Sequence, residues 1–490
     1  MHSVKVILRL WIDLRNALLA VATCITFTLS IVSFSALADD NLWPEVTAEL
    51  MQYGLPADSI SIVIEVPEVN KTLLSYNADV PRNPASTMKL LTTYAALDML
   101  GPGYRWETGF FIDGPITDGV LEGNLYIRAS GDPMILTEDF LRILFRLRQR
   151  GLREIHGNLV VDDSIFDINS IDTRPIDDQP YRAYHAYPGP LSINFRATRF
   201  EFIPTNDGVT ILADPPASTL HIDNRLKTID GPCNGMHRAM GIDVNQGIDV
   251  TKVTFSGNYP RKCGERQITR SVLNADDYLF GVFQSIWSGL GGDLNGTLKR
   301  GAIPQDADEI LLYESHSLLE VLSGINKYSN NFMARSLLLT LGVATYGSPA
   351  TVETGQVALR SWLNTRGLPM PGLNIDNGAG FSRDARITAG GLANLLKDVL
   401  KHPYREELLA SMSLAGIDGS LQKRFNHSAV NGHYRLKTGL LRDVRAAAGY
   451  GHTARGTLVV VVILQNAPGL TYSSGNAIQD AILRHLYEHY

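Results

Sequence analysis

The sequence predicts a mixed α/β (α+β) fold: a central antiparallel sheet flanked by helices, assembled from both ends of the chain, with β-rich domains inserted between them. Three observations carry this. Ser59 to Val66 reads as a strand near the start, and the β-branched run Gly456 to Gln465 reads as a buried central strand near the end. An apolar helical stretch from Ser86 to Leu100 closes on Gly101-Pro102-Gly103. Between Lys89 and Ser329 lie short β-like pieces, such as Gly123 to Arg128, Gly157 to Val161 and Gly208 to Ala213, set off by Gly, Pro and Asp turns.

Taken in order, Lys5, Arg9 and Arg15 precede an apolar run from Ala17 to Leu37 that ends Ser35-Ala36-Leu37-Ala38. This reads as a secretory signal peptide over residues 1–38, cleaved after Ala38, which sends the chain to the periplasm. An uncut apolar run serving as a membrane anchor is the alternative. Cys24 lies within the run and follows Thr23, so it lacks the small neighbour of a lipidation site. The pattern then divides into a discontinuous catalytic domain, residues 39–105 and 273–490, and an inserted β-rich region, residues 106–272. Helices are expected around Ser315 to Leu341 and Thr388 to Leu400, a partner strand over Arg445 to His452, and a short closing helix over Asn476 to Tyr490. There is no internal repeat, which argues against a solenoid.

A formal net charge of −6 with no basic cluster argues against nucleic acid as a partner. Weak association with the membrane or wall stays open, as does the oligomeric state. Cys233 and Cys263 are the two cysteines left after the signal, and in an oxidising compartment an even count predicts a disulfide between them. Cys233 with His237 and Cys263, and the scattered His185, His427, His433 and His452, give no zinc spacing. No metal or other cofactor is predicted.

The chemistry is carried by three short motifs. Ser86-Thr87-Met88-Lys89 puts a hydroxyl and an amine three residues apart on one helical face, so an uncharged Lys89 can take the Ser86 proton. Ser329-Asn330-Asn331 opens a second apolar helix, and Lys437-Thr438-Gly439 falls on a strand. S-x-x-K, S-x-N and K-T-G in this order form the signature of penicillin-binding proteins and class A β-lactamases. Tyr328-Ser329-Asn330 also fits the Y-x-N frame of class C β-lactamases.

The chain resembles the D-alanyl-D-alanine carboxypeptidase/endopeptidase family, the class C low-molecular-mass penicillin-binding proteins. Beyond the motifs, the resemblance rests on Ser130-Gly131-Asp132-Pro133, Val161 to Phe166, Leu191 to Phe195, Asn377 to Arg383 and Ala415 to Leu421, and on the insertion after the first motif. It favours the Ser329 and Asn331 frame over Tyr328. It implies a transpeptidase/β-lactamase-like catalytic domain with two further domains inserted. It also implies peptidoglycan stem peptides ending in D-Ala-D-Ala, or their crosslinks, as substrate, and β-lactams as covalent inhibitors. A β-lactamase-like hydrolase and a non-catalytic cell-wall or β-lactam-binding protein are the competing readings.

Under this reading Ser86 is the nucleophile and Lys89 its base, held neutral by burial and by the positive charge of Lys437. The resemblance implies that Ser329 relays a proton to the leaving amine and that Asn331 binds the substrate backbone and Lys89. Lys437 supplies positive potential for the terminal carboxylate, Thr438 a hydroxyl donor, and Gly439 room for the substrate. The backbone N–H groups of Ser86 and Leu440 are the expected oxyanion donors. Two positions depart from the family pattern: Leu440, where a Ser or Thr is common, and Ala379, where a Ser is common. Arg442 and Arg445 are candidates for binding an anionic peptide, or else solvated charges beside a strand.

Overall fold

The computed structural model describes residues 42–233 and 240–490. The expected signal segment and His237 lie outside the described residues. The core is a six-stranded sheet in the order Ser413–Leu414, Tyr434–Leu441, Val444–His452, Leu458–Asn466, Ile60–Val66, Lys71–Tyr76, antiparallel throughout. Both ends of the chain meet at its centre, where Ile62 pairs with Ile463. The strand Leu458–Asn466 is apolar on both faces because both faces are covered. Val460, Val462 and Leu464 join one core with the helices Lys89–Leu100 and Ala389–Val399, while Val459, Val461 and Ile463 join another with Pro44–Gln52 and the last helix. Period-two alternation assigns each side chain to one core or the other, and each fully buried Val or Ile contributes about 1.5–3 kcal/mol.

The helix Lys89–Leu100 has no polar face, and Leu90, Leu91, Tyr94, Ala95 and Leu97 are all buried. Such a helix must be surrounded, and Leu318–Lys327 and Asn331–Tyr346 pack against it. It ends at Gly101, whose φ of +79° suits glycine. The final helix is longer than expected, Tyr472–His489, because Thr471 and Ser474 close a capping box at its start. Among the described residues no helix is long and apolar enough to cross a membrane.

The intervening region has its own core around Phe110, Phe140, Phe200, Phe255, Phe283 and Trp287. Its main sheet runs Leu298–Arg300, Leu159–Asp162, Leu125–Arg128, Glu107–Ile112, Asp308–Glu314. The expected return to the catalytic part at residue 273 comes too early. The helix Ala275–Gly289 packs into the intervening core, and Asp308–Glu314 pairs with Glu107–Ile112. A sheet opened at Glu107 needs a partner for that strand's free backbone groups, and the chain supplies it before leaving. The two crossings run side by side, with Ser315 N donating to Trp106 O at 2.9 Å and Trp106 N to Ser315 Oγ at 2.8 Å. Cys233 and Cys263 are disulfide-bonded, 30 residues apart in sequence. Closing such a loop stabilises by roughly 3–4 kcal/mol in the chain-entropy account.

Candidate active site

Ser86 sits on a single 3-10 turn, Ala85–Met88, that runs directly into the helix beginning at Lys89. The segment is pinned from several sides. Asn83 accepts from Ala85 N at 2.9 Å and donates to Ser382 O at 2.8 Å, while Asn466 Oδ1 accepts from Asn83 N at 2.7 Å. Ala85 is held at a φ of +43°, a conformation L-residues rarely adopt. Two glycines permit this crowding. A Cβ at Gly380 would fall 1.8 Å from Ala85 O, and one at Gly439 2.7 Å from Pro84 O. Gly439 therefore clears space for the backbone beside Ser86, a role the expectation of room for a ligand did not include.

Lys89 is fully buried, and its Nζ lies 2.8 Å from Ser86 Oγ, 2.8 Å from Asn331 Oδ1 and 2.6 Å from Ala379 O. Burial, then the nearby charges of Lys437 and Arg335, hold this amine well below its ordinary range. A neutral amine has two protons and one lone pair. Asn331 Oδ1 and Ala379 O can only accept, so they take both protons and turn the lone pair to the Ser86 hydroxyl.

Ser329 adopts a φ of +60° just before the helix Asn331–Tyr346, whose cap is Asn330 through Met333 N. That strained conformation places Ser329 Oγ 2.9 Å from the Nζ of Lys437. Lys437 is also fully buried, donates to Thr438 O at 2.8 Å, and is pushed down to about 7 by desolvation. Tyr328 is 74% exposed, so it is the Ser329 hydroxyl, within the frame Ser329 to Asn331, that meets the buried lysine. Leu440 is 54% exposed at the rim. Ala379 is fully buried and works through its carbonyl. Arg445 is buried and donates to Leu441 O and Val444 O, whereas Arg442 is exposed.

The intervening region reaches into this site, which the motifs did not foreshadow. Asn331 Nδ2 donates to Tyr184 O at 3.3 Å. Tyr184 Oη donates to Asp177 Oδ2 and His185 Nε2 meets Asp177 Oδ1, each at 2.9 Å, and both rings pack edgewise on Phe381. Arg335 stands one turn after Asn331, 5.7 Å from the Phe381 ring centroid, with its Nε buried and without a hydrogen-bond partner among the described residues. It lines a cavity of about 240 Å³ with Asp376, Asn377 and Arg383. A larger hollow of about 820 Å³, edged by Arg366, Lys397 and Arg405, touches none of the three motifs. A run of mixed polar and aromatic residues before Pro188 is the only signal the sequence offers for the Asp177 to His185 strap.

The arrangement combines a half-buried hydroxyl, a neutral amine aimed at it, a second lysine bonded to a second hydroxyl, and a strand edge beside them. Such a set suits acyl transfer through a serine without histidine. The model of the D-Ala-D-Ala carboxypeptidase 3 (S13) family matches residues 43–488. A D-alanyl-D-alanine carboxypeptidase of Actinomadura sp. (strain R39) is 28% identical over 464 residues, 91% of this chain and 84% of that protein. The D-alanyl-D-alanine carboxypeptidase DacB of Haemophilus influenzae is 24% identical over 461 residues, 93% of this chain and 94% of the relative. In fold, the crystal structure of penicillin binding protein 4 (dacB) from Haemophilus influenzae superposes with a TM-score of 0.76 at 23% identity, covering 91% of this chain and 99% of that one.

Proposed function

Because this chain belongs to the D-Ala-D-Ala carboxypeptidase 3 (S13) family of serine peptidases, we propose that its hydrolase chemistry runs through an acyl-enzyme on Ser86. Lys89 takes the Ser86 proton as the hydroxyl attacks the carbonyl of the penultimate D-Ala. The backbone N–H groups of Ser86 and Leu440 receive the oxyanion. Ser329, bonded to Lys437, passes a proton to the departing amine, which breaks the peptide bond, and Ser329 regains its proton at the expense of Lys89, whose amine is neutral again. Water then attacks the ester, with Lys89 again the base, and frees Ser86. Asn331 holds the substrate backbone, and Lys437 and Thr438 hold its terminal carboxylate.

The observation that carries this reading is the set of partners around Lys89: two obligate acceptors and one serine hydroxyl. The substrate class is peptidoglycan stem peptides handled outside the cytoplasmic membrane, with β-lactams acylating the same serine. Both carboxypeptidase and endopeptidase action fit. The exposed Leu440 offers no hydroxyl to a free terminal carboxylate, which favours crosslinks more than a Ser or Thr would. To test this, the protein lacking residues 1–38 is incubated with a pentapeptide ending in D-Ala-D-Ala, a crosslinked dimer and a fluorescent penicillin. D-Ala release or dimer cleavage with long-lived label supports the peptidase. Rapid label turnover without peptide cleavage points to a β-lactamase, and no cleavage with stable label or none points to a binding protein.

A further inference from the structure

The K-T-G strand lacks a hydroxyl at Leu440, yet the hydroxyl of Thr438 is not alone. Ser420 Oγ lies 2.9 Å from Thr438 Oγ1, brought there from a different loop. That loop is built to hold it. Asp418 takes Lys327 Nζ at 2.5 Å and Leu414 N at 2.8 Å. Gly419, at a φ of +57°, sits so close that a Cβ would fall 2.3 Å from Ser413 Oγ. Ser413 is fully buried, donates to Lys327 O at 3.1 Å, and accepts from Ser420 N at 3.1 Å. The loop is therefore tied both to the residue two before Ser329 and to the strand bearing Lys437.

Counting protons sets the direction of this chain. Ser413 has one proton and gives it to Lys327 O, so its oxygen can only accept from Ser420. Ser420 Oγ has a choice between Ser413 at 3.2 Å and Thr438 at 2.9 Å. When it donates along the shorter contact, the Thr438 oxygen is occupied as an acceptor and its own proton is free to point into the cleft. A hydroxyl that accepts one hydrogen bond donates a stronger one, because the bonds polarise each other. An anion in the cleft is the partner that rewards this order.

We propose that Ser420 is a positioning residue for carboxylate recognition, orienting and polarising the Thr438 hydroxyl and so offsetting the hydroxyl that is absent at 440. Ser420 acts through Thr438 and takes no part in acylation itself. This rests on the acyl-enzyme reading above. It makes Ser420 matter for ligands that end in a carboxylate and not for ligands that lack one.

The test uses two D-Ala thioesters whose thiol leaving groups differ only at the far end, one ending in a free carboxylate and the other in its methyl ester, with penicillin labelling of the wild type as a control. The expected result for Ser420→Ala is a KM about five- to tenfold higher for the carboxylate, the size of one ordinary hydrogen bond. The methyl ester should keep its kcat/KM within about twofold on the same scale. Ser420→Thr, which restores a hydroxyl, should return the carboxylate KM to near the wild-type value. Equal losses on both thioesters, no loss on either, or no rescue by Ser420→Thr would overturn the assignment. A wild type that neither turns over a thioester nor takes the label would instead overturn the acyl-enzyme reading on which it rests.

Discussion

Asn331 and Tyr184, 147 positions apart, are joined by a hydrogen bond from the Asn331 amide nitrogen to the Tyr184 carbonyl at 3.3 Å. The bond decides which way the Asn331 amide points. With its NH₂ group engaged by Tyr184, its oxygen faces Lys89, where it takes one of the two protons of the neutral amine. The intervening region is thereby part of the geometry around Ser86.

Asp177 is the anchor of that contact, holding both Tyr184 and His185. Asp177→Ala frees the strap and lets the Asn331 amide turn. Penicillin acylation should slow by about tenfold or more, the cost of a small misplacement at a reacting centre. The far-ultraviolet circular dichroism should be unchanged. Stopped-flow acylation kinetics at wild-type speed would show that Asn331 needs no support from Tyr184.

Gly380 faces Ala85 with no space between them. Gly380→Ala meets backbone, which cannot swing aside, and also a φ of +66° that alanine resists. A stability loss of about 2–4 kcal/mol is expected from strain and overpacking together. It should be accompanied by loss of labelling in the fraction that stays folded. Denaturant titration gives the first quantity, and labelling of the folded pool the second.

The two buried lysines set opposite limbs of the pH profile. Lys89 must be neutral to accept a proton, so kcat/KM falls on the acid side, as this depressed amine gains its charge. Lys437 loses its charge above about 7 and with it the attraction for a carboxylate, so kcat/KM falls on the alkaline side. In Lys437→Gln the alkaline limb should vanish. The acid limb should move to higher pH, because a cation that depresses Lys89 is gone. An alkaline limb that survives in the variant would contradict this assignment.

Asp132 is buried, its Oδ2 has no hydrogen-bond partner among the described residues, and desolvation raises it to about 7. Met134 N donates to it, and His316 and Asp139 are the charged groups facing it. The folded protein binds this proton more tightly than the unfolded chain, so stability falls as pH rises from about 4 to about 7, and the full penalty remains above. The upper bound is about 4 kcal/mol. Asp132→Asn should raise Tm at pH 8 and leave it unchanged near pH 4. An equal change at both pH values would mean that charge is not the cause.

The sheet and the three motifs were legible because each leaves a local mark. Leu458–Asn466 is a β-branched run, each of S-x-x-K, S-x-N and K-T-G holds its groups within three or four residues, and Cys233 and Cys263, the two cysteines beyond the expected signal segment, make one bridge. What escaped was set by contacts between distant segments. Nothing near Asp308 announces that Asp308–Glu314 pairs with Glu107–Ile112. No spacing links Tyr184 to Asn331, or Ser420 to Thr438. Gly439 was visible as a glycine, but its near contact with Pro84 O depends on how two elements far apart in sequence are stacked.

The account stands most directly on Ser86 as the acylated residue, with Lys89 as its base. The measurement is intact-protein and peptide mass spectrometry after incubation with penicillin, on the wild type, Ser86→Ala and Lys89→Ala. The account predicts one adduct, carried by the peptide containing Ser86, absent from Ser86→Ala and suppressed in Lys89→Ala while both variants melt as folded proteins. An adduct on any other residue of the wild type, or one that persists in Ser86→Ala, would contradict it.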